Sequence, residues 1–246
     1  SDEKIASYTA ELERSNRELK DFAFAASHDL QEPLRKVRAF GDLLTAKYGG
    51  ELSAEGREYI AYMQRSTERM QTLITDLLAY ARIGVRGERH GPVALDEALS
   101  EALVLLEQEI AGSGAVITRS PLPSIEADRG QMRQLFQNLI SNALKFRKTG
   151  IPPQITVSSM SDNGHAEITV SDNGIGFEKQ YKDKIFVIFQ RLHGRNEFSG
   201  TGIGLAICKK IVENLGGTIR AEITPGEGAQ FVVRIPLIQN ARAGNG

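Results

Sequence analysis

"SHDLQEPLR", residues 27–35, sits inside a run that otherwise has the rhythm of one long helix. Proline in a helix interior removes a backbone hydrogen bond and clashes with the preceding turn, at a cost of ~3 kcal/mol. Here Pro33 follows closely on a histidine–acid pair, His28 and Asp29. Upstream, apolar or small residues recur at Ile5, Tyr8, Leu12, Ser15, Leu19, Phe22 and Ala26. Their steps alternate three and four, the seam of a coiled coil. After Ala26 the series continues Leu30, Leu34, Val37, Gly41 and Leu44. Successive steps of four interrupt the heptad and locally unwind a coiled coil. His28 stands two residues past Ala26, about 200° around the helix from the seam. It is predicted to point outward, as a reacting group must.

"KYGGELSAEG" (47–56) supplies the turn, with two glycines after the helix and Ser53 as N-cap of the next. The second helix carries Ile60, Met63, Thr67, Met70, Ile74, Leu77 and Ala81 on one face. Two helices alone cannot bury both stripes, so residues 5–81 are expected to pair with a second copy as a four-helix bundle. The chain opens in the middle of a helical pattern and is expected to be part of something longer, with its upstream part missing.

The chain has 246 residues, 41% hydrophobic and 25% charged, with a formal net charge of -1. This balance lacks the basic excess of nucleic-acid binders. The single Cys208 excludes an internal disulfide and fits a reducing, cytoplasmic compartment. No run of eighteen apolar residues is present to span or contact a membrane.

"GVRGERHGP" (84–92) reads as a linker. The expected division is a lead-in and hairpin over 1–84, a linker over 85–94, a second domain over 95–238 and a tail over 239–246. The second domain is predicted to hold a helix near 95–111, strands in "AVITRS" and "SIEAD", and a helix over about 129–148. Strands "QITVSSM" and "AEITVSD", a helix over about 203–215, and strands "TIRAEIT" and "AQFVVRIP" follow. Because helices and paired strands do not alternate strictly, the fold class is multi-domain α and α/β: a helical hairpin, then an α/β sandwich with a mixed sheet.

Three motifs carry chemistry. In "QLFQNLISNALKF" (134–146), Asn138, Asn142 and Lys145 share one helix face, opposite Leu135, Leu139, Ile140 and Leu144. Two amides and a lysine suit a magnesium-phosphate ligand, whereas Asn is a poor choice for a merely solvated helix interior. "SDNGIGF" (171–177) ends a strand with Asp172, followed by Gly174 and Gly176. A carboxylate there can accept from an exocyclic amine, which adenine offers and guanine replaces with a carbonyl. "GTGIGLA" (200–206) opens a helix with backbone N–H groups free for an anion. Its spacing and its preceding loop differ from the dinucleotide fingerprint, and no Walker lysine follows.

Together these pieces resemble a sensor histidine kinase over nearly the whole chain. The opening stretch resembles the H-box, "QLFQNLISNALKF" the N-box, "DNGIG" the G1 box, "IFVIFQRL" the F-box, "GTGIGLAICK" the G2 box and "GEG" the G3 box. The wording of the H-box and of "FQRLHGR" is most similar to phytochrome-associated kinases. The resemblance implies an ATP-binding domain of the histidine kinase, Hsp90 and gyrase type. It implies autophosphorylation of His28, with Asp29 as base, transfer of the phosphoryl group to a response-regulator aspartate, and a sensor part upstream that is missing from this chain.

It also implies ATP and Mg²⁺, with Asn142 on the metal and Asn138 and Lys145 near the phosphates. Asp172 would read the adenine amine beside Gly174 and Gly176. Arg191 would reach the transferred phosphate, and Gly200, Thr201, Gly202, Gly204 and Leu205 would close over it. Residues 178–199 would form a lid with Phe186 and Phe189 at its base, and Pro33 would bend the phosphoacceptor helix. Glu32 stands where many members carry Thr or Asn, so phosphatase activity is not implied. His90, His165 and His193 match no catalytic position. The rival readings are a catalytically silent nucleotide-binding scaffold and a gyrase-type ATPase. The latter carries a glutamate on the N-box helix, where this chain has Asn138.

Overall fold

A computed structural model describes residues 2–84, 91–190, 200–224 and 226–237. Two compact units divide at 82/83.

The first unit is a hairpin of α1 (Asp2–Tyr48) and α2 (Ala54–Arg82). Helix α1 runs through both Pro33 and the change of rhythm without a break. Pro33 has no N–H to return to the Asp29 carbonyl, so the ladder loses a bond one turn below the histidine. The turn is closed by Gly49 N–H on the Thr45 carbonyl, and by Glu51 and Leu52 N–H on the Tyr48 carbonyl. Arg57 donates to the Gly49 and Leu52 carbonyls at 3.1 and 2.7 Å. Ser53 Oγ accepts from Gly56 N–H at 3.0 Å, capping α2 at the third helical residue.

Buried positions along the hairpin are small or polar: Ser27, Gly41 and Thr67. At Gly41 the helices approach closely enough that a Cβ would lie 3.1 Å from Gln64 Cγ. Leu30, Val37, Phe40, Leu44, Met70 and Leu77 remain exposed in the single chain. The side chains of Ile5, Leu12, Leu19 and Phe22 lie outside the described set.

The second unit is a five-stranded mixed sheet, a two-stranded ribbon, four α-helices and two short 3-10 turns among the described residues. The ribbon pairs β1 (Gly91–Ala94) with β2 (Ser124–Ala127) antiparallel. Helices α3 (Leu95–Leu105) and α4 (Glu107–Ser113) follow β1. The sheet holds β3 (Val116–Arg119), β4 (Gln154–Asp162), β5 (His165–Asp172), β6 (Thr218–Thr224) and β7 (Gly228–Pro236). Their order is β3-β4-β5-β7-β6; only the β3–β4 pair is parallel. Helix α5 (Arg129–Lys145) starts at Asp128, whose carboxylate accepts from Gln131 N–H at 2.8 Å. Helix α6 (Gly204–Asn214) packs against α5.

One face of the sheet is apolar, with Ile155, Val157, Ala166, Ile168, Val170, Phe231, Val233 and Ile235 all buried. Against it lie the apolar sides of the helices, including Leu99, Leu135, Phe136, Leu139, Ile140, Ile207 and Ile211. The N-box stripe expected to be apolar is therefore core, which turns Asn138, Asn142 and Lys145 away from the sheet.

Three boundaries differ from expectation. The stretch 85–94 is not linker throughout, because 91–94 pair with β2. The helix expected over 95–111 breaks at Leu106, which leaves helical geometry with φ -102° and ψ 8° and is buried. The N-box helix stops at Lys145, where the Phe146 carbonyl turns to accept from Ile175 N–H. Residues 85–90 of the expected linker and the expected tail, 239–246, lie outside the described residues. Among the described residues no helix is long and apolar enough to cross a membrane.

Candidate functional site

His28 lies on α1 with its side chain 76% exposed, and its Nδ1 is 3.4 Å from Asp29 Oδ1. This contact leaves Nε2 as the outward ring nitrogen. A helical i, i+1 pair does not normally face itself, so the long distance is what the backbone allows. Glu32 is taken up by an ion pair with Lys36 at 2.8 Å.

In the second unit, the residues predicted to hold a nucleotide converge from α5, the turn after β5 and the turn before α6. Asp172 is the last residue of β5 and half-buried. Its Oδ1 accepts from Gly174 N–H at 2.8 Å and from Ala229 N–H at 3.2 Å. Burial pushes its carboxyl above the ordinary 3.8, partly opposed by those two N–H groups and by the charge of Lys148. An acid in that condition gains from a further donor.

Gly174 follows in a position only glycine fits. A Cβ there would stand 2.5 Å from the Phe146 carbonyl oxygen and 2.7 Å from Asp172 Oδ1. Backbone cannot yield as a flexible side chain can. Gly174→Ala is therefore expected to displace the turn and weaken ATP binding about tenfold or more, since ångström-scale misplacement can cost up to ~100-fold. Titration calorimetry with a non-hydrolysable ATP analogue checks this; unchanged affinity would refute it.

Gly176 has φ +62°, Gly200 φ +140° and Gly202 φ +77°. At Gly200 a Cβ would be 2.5 Å from Lys145 Nζ, so the glycine-rich turn lies directly over the end of the α5 stripe. Asn138 Nδ2 donates to the Gly204 carbonyl at 3.1 Å, tying the first turn of α6 to α5. Cys208, one turn further along α6, is fully buried; its Sγ is 3.9 Å from the Leu135 carbonyl, and it bonds the Asn138 amide. Burial holds its thiol protonated, its pKa pushed up to about 12. Thr201 is buried with Oγ1 accepting from Ile203 N–H at 3.3 Å, and Leu205 is half-buried in the first turn of α6. Asn142 is half-buried on the same face of α5.

The two phenylalanines expected at the base of the lid part company. Phe186 is buried and meets Phe231 edge-on, with ring centroids 6.4 Å apart. Phe189 is 60% exposed. Its φ of +64°, with its N–H on the Gly202 carbonyl, turns the ring outward. Arg191, His193 and residues 191–199 of the expected lid lie outside the described residues, as does His90. His165 is spent on the Asn163 carbonyl at 3.1 Å. Reading by residue type missed Asn173, the Phe146 carbonyl and the Ala229 N–H. The first was hidden inside a turn motif, and the other two are backbone.

A mixed sheet backed by helices, with a polar α5 face under a glycine turn and a carboxylate at a strand end, defines a nucleotide-binding ATPase domain. Joined to a hairpin that exposes a histidine, it defines the class of histidine kinase cores. Residues 18–85 match the His Kinase A (phospho-acceptor) domain. Residues 127–239 match the Histidine kinase-, DNA gyrase B-, and HSP90-like ATPase. The chain belongs to the sensor histidine kinases and carries their catalytic core.

It is similar to Cyanobacterial phytochrome A of Nostoc sp. (strain PCC 7120), 47% identical over 235 residues, which is 96% of this chain and 31% of that protein. It is also 43% identical to Phytochrome-like protein Cph1 of Synechocystis sp. (strain PCC 6803), over 96% of this chain and 31% of that one. Among solved structures, full-length ShkA in complex with AMPPNP superposes with a TM-score of 0.69 at 28% identity, over 90% of this chain and 46% of that one. The chain thus spans about a third of the length of these curated relatives.

Proposed function

We propose that the chain phosphorylates His28 from ATP and passes the phosphoryl group to an aspartate on a response-regulator receiver domain. The observation that carries this reading is the His28 ring, exposed on the hairpin with Nδ1 toward Asp29 and Nε2 outward. In this reading Nε2 of the neutral ring attacks the γ-phosphorus, the bond from phosphorus to the ADP oxygen breaks, and ADP leaves with that electron pair. Asp29 takes the Nδ1 proton as the ring becomes cationic. An apo distance of 3.4 Å suits such a base, since catalytic hydrogen bonds tighten in the reacting complex.

ATP fits the cradle between α5 and α6. Asp172 accepts from the adenine amine through Oδ2, and Lys145 and the glycine turn meet the phosphates. Mg²⁺ fits the donor set too. No group of three His, Cys, Asp or Glu that could hold a metal lies among the described residues. The available donor is instead the amide oxygen of Asn142, which suits an ion bound mainly by phosphates and water. When bound it neutralises charge on the phosphates.

The exposed apolar stripe of α1 and α2 supports pairing with a second copy through residues 5–81. A site that uses ATP supports a cytoplasmic setting. The test is incubation with γ-labelled ATP and Mg²⁺. Label on the chain that is acid-labile and base-stable is expected; nucleotide binding without labelling would leave only the scaffold reading.

A further inference from the structure

The antiparallel ladder between β4 and β5 ends at the pair Ile155↔Asp172. One step further, Asn173 would oppose Gln154, but the main chain leaves the sheet there to turn at Gly174. The Asn173 side chain takes over. Its Oδ1 accepts from Gln154 N–H at 2.9 Å, and its Nδ2 donates to the Pro152 carbonyl at 3.2 Å. The carbonyl of one residue and the N–H two residues on point to the same side of an extended strand. A primary amide presents the matching donor and acceptor, which a neighbouring strand would supply from two separate peptide units. The intervening Pro153 carbonyl faces the other way and accepts from Val116 N–H at 2.8 Å, as strand alternation requires.

We propose that Asn173 is a positioning residue for base recognition. Its amide stands in for the missing backbone rung, so that the chain can leave the sheet while Asp172 stays in register. The inference rests on the reading of Asp172 as the group that accepts from adenine. The other tethers on the turn among the described residues are Gly174 N–H and Ala229 N–H, both on Asp172 Oδ1, Ile175 N–H on the Phe146 carbonyl, and Gly226 N–H on the Ile175 carbonyl. These hold the carboxylate's inner oxygen and the far side of the turn. Asn173 alone of these anchors the turn back to the start of β4. Aspartate at 173 would keep the acceptor for Gln154 and lose the donor to Pro152, setting two oxygens against each other.

The experiment measures affinity for the imido analogues of ATP and GTP, with Mg²⁺, in the full chain and in Asn173→Ala and Asn173→Asp. Circular dichroism melts report folding, and Asn173→Asp carries the test where Asn173→Ala does not fold. Wild type is expected to prefer the adenine analogue. The variants are expected to lose about tenfold for it, the equivalent of one good hydrogen bond, with the guanine analogue nearly unchanged, so that selectivity collapses. A folded variant that keeps wild-type selectivity, or loses both analogues equally, overturns the positioning role and leaves Asp172 as the reader. Absence of a preference in the wild type overturns the reading of Asp172 and this inference with it.

Discussion

His28→Ala is expected to abolish acid-labile labelling of the chain while leaving ATP-analogue affinity within about twofold of wild type, a change too small to signal a lost hydrogen bond. The effect is expected to be total because the one other histidine among the described residues, His165, is held by a backbone carbonyl. The fold loses little, since the His28 side chain is mostly exposed and its polar contact among the described residues is the long approach to Asp29. Alanine is also the better helix former at an exposed position. Melting temperature is therefore expected to be unchanged or slightly raised. Asp29→Asn keeps the size and removes the base; labelling is expected to slow by ~10²–10⁴, the usual worth of a positioned base. Label persisting in His28→Ala would place the phosphoacceptor elsewhere.

Asp172→Asn should separate binding from stability in opposite directions. The carboxylate is half-buried, and the loss of water around it outweighs the two backbone N–H groups on Oδ1 and the charge of Lys148, so its folded pKa lies above the ordinary 3.8. The folded state therefore holds its proton to higher pH than the unfolded chain. The stability it contributes is fully present below 3.8 and is lost as pH rises through the folded value. At neutral pH the ionised group burdens the empty domain. Asparagine keeps an oxygen for Gly174 and Ala229 without the charge, so the variant's second unit is expected to melt higher than wild type at pH 7. The gap should close as both are taken toward pH 4. Its affinity for the ATP analogue is expected to fall ~10- to 100-fold, the worth of a hydrogen bond to a charged acceptor. Scanning calorimetry and titration calorimetry read the two effects. A lower melting temperature at pH 7 would mean that Asp172 serves the fold and not the ligand.

Periodicity made most elements legible. The apolar alternation of "AEITVSD" marks β5, and the three-four spacing of Leu135, Leu139 and Ile140 marks the buried side of α5. The opposite stripe of Asn138, Asn142 and Lys145 follows by subtraction, because side chains on a helix cannot share both faces. The glycine turn before α6 was readable for a similar local reason, as was the Ser53 cap, made by bonds three residues long. Residues 91–94 were not readable as β1. Four residues are too few to show a period, and their partner β2 lies thirty residues away across α3, α4 and β3.

What the sequence by itself determined was therefore most of the elements and the residue types of the candidate site, both encoded over one or two turns of chain. What only the tertiary structure decided was how distant backbone meets them. The Phe146 carbonyl excludes any Cβ at Gly174, Ala229 N–H reaches Asp172 from β7, and the Asn173 amide completes a ladder whose backbone has left it. Those contacts join residues 19 to 57 positions apart, and at one end or both use backbone N–H and C=O groups that nearly every residue carries. Residue type does not distinguish such groups; only the path of the chain brings one of them to a particular carboxylate.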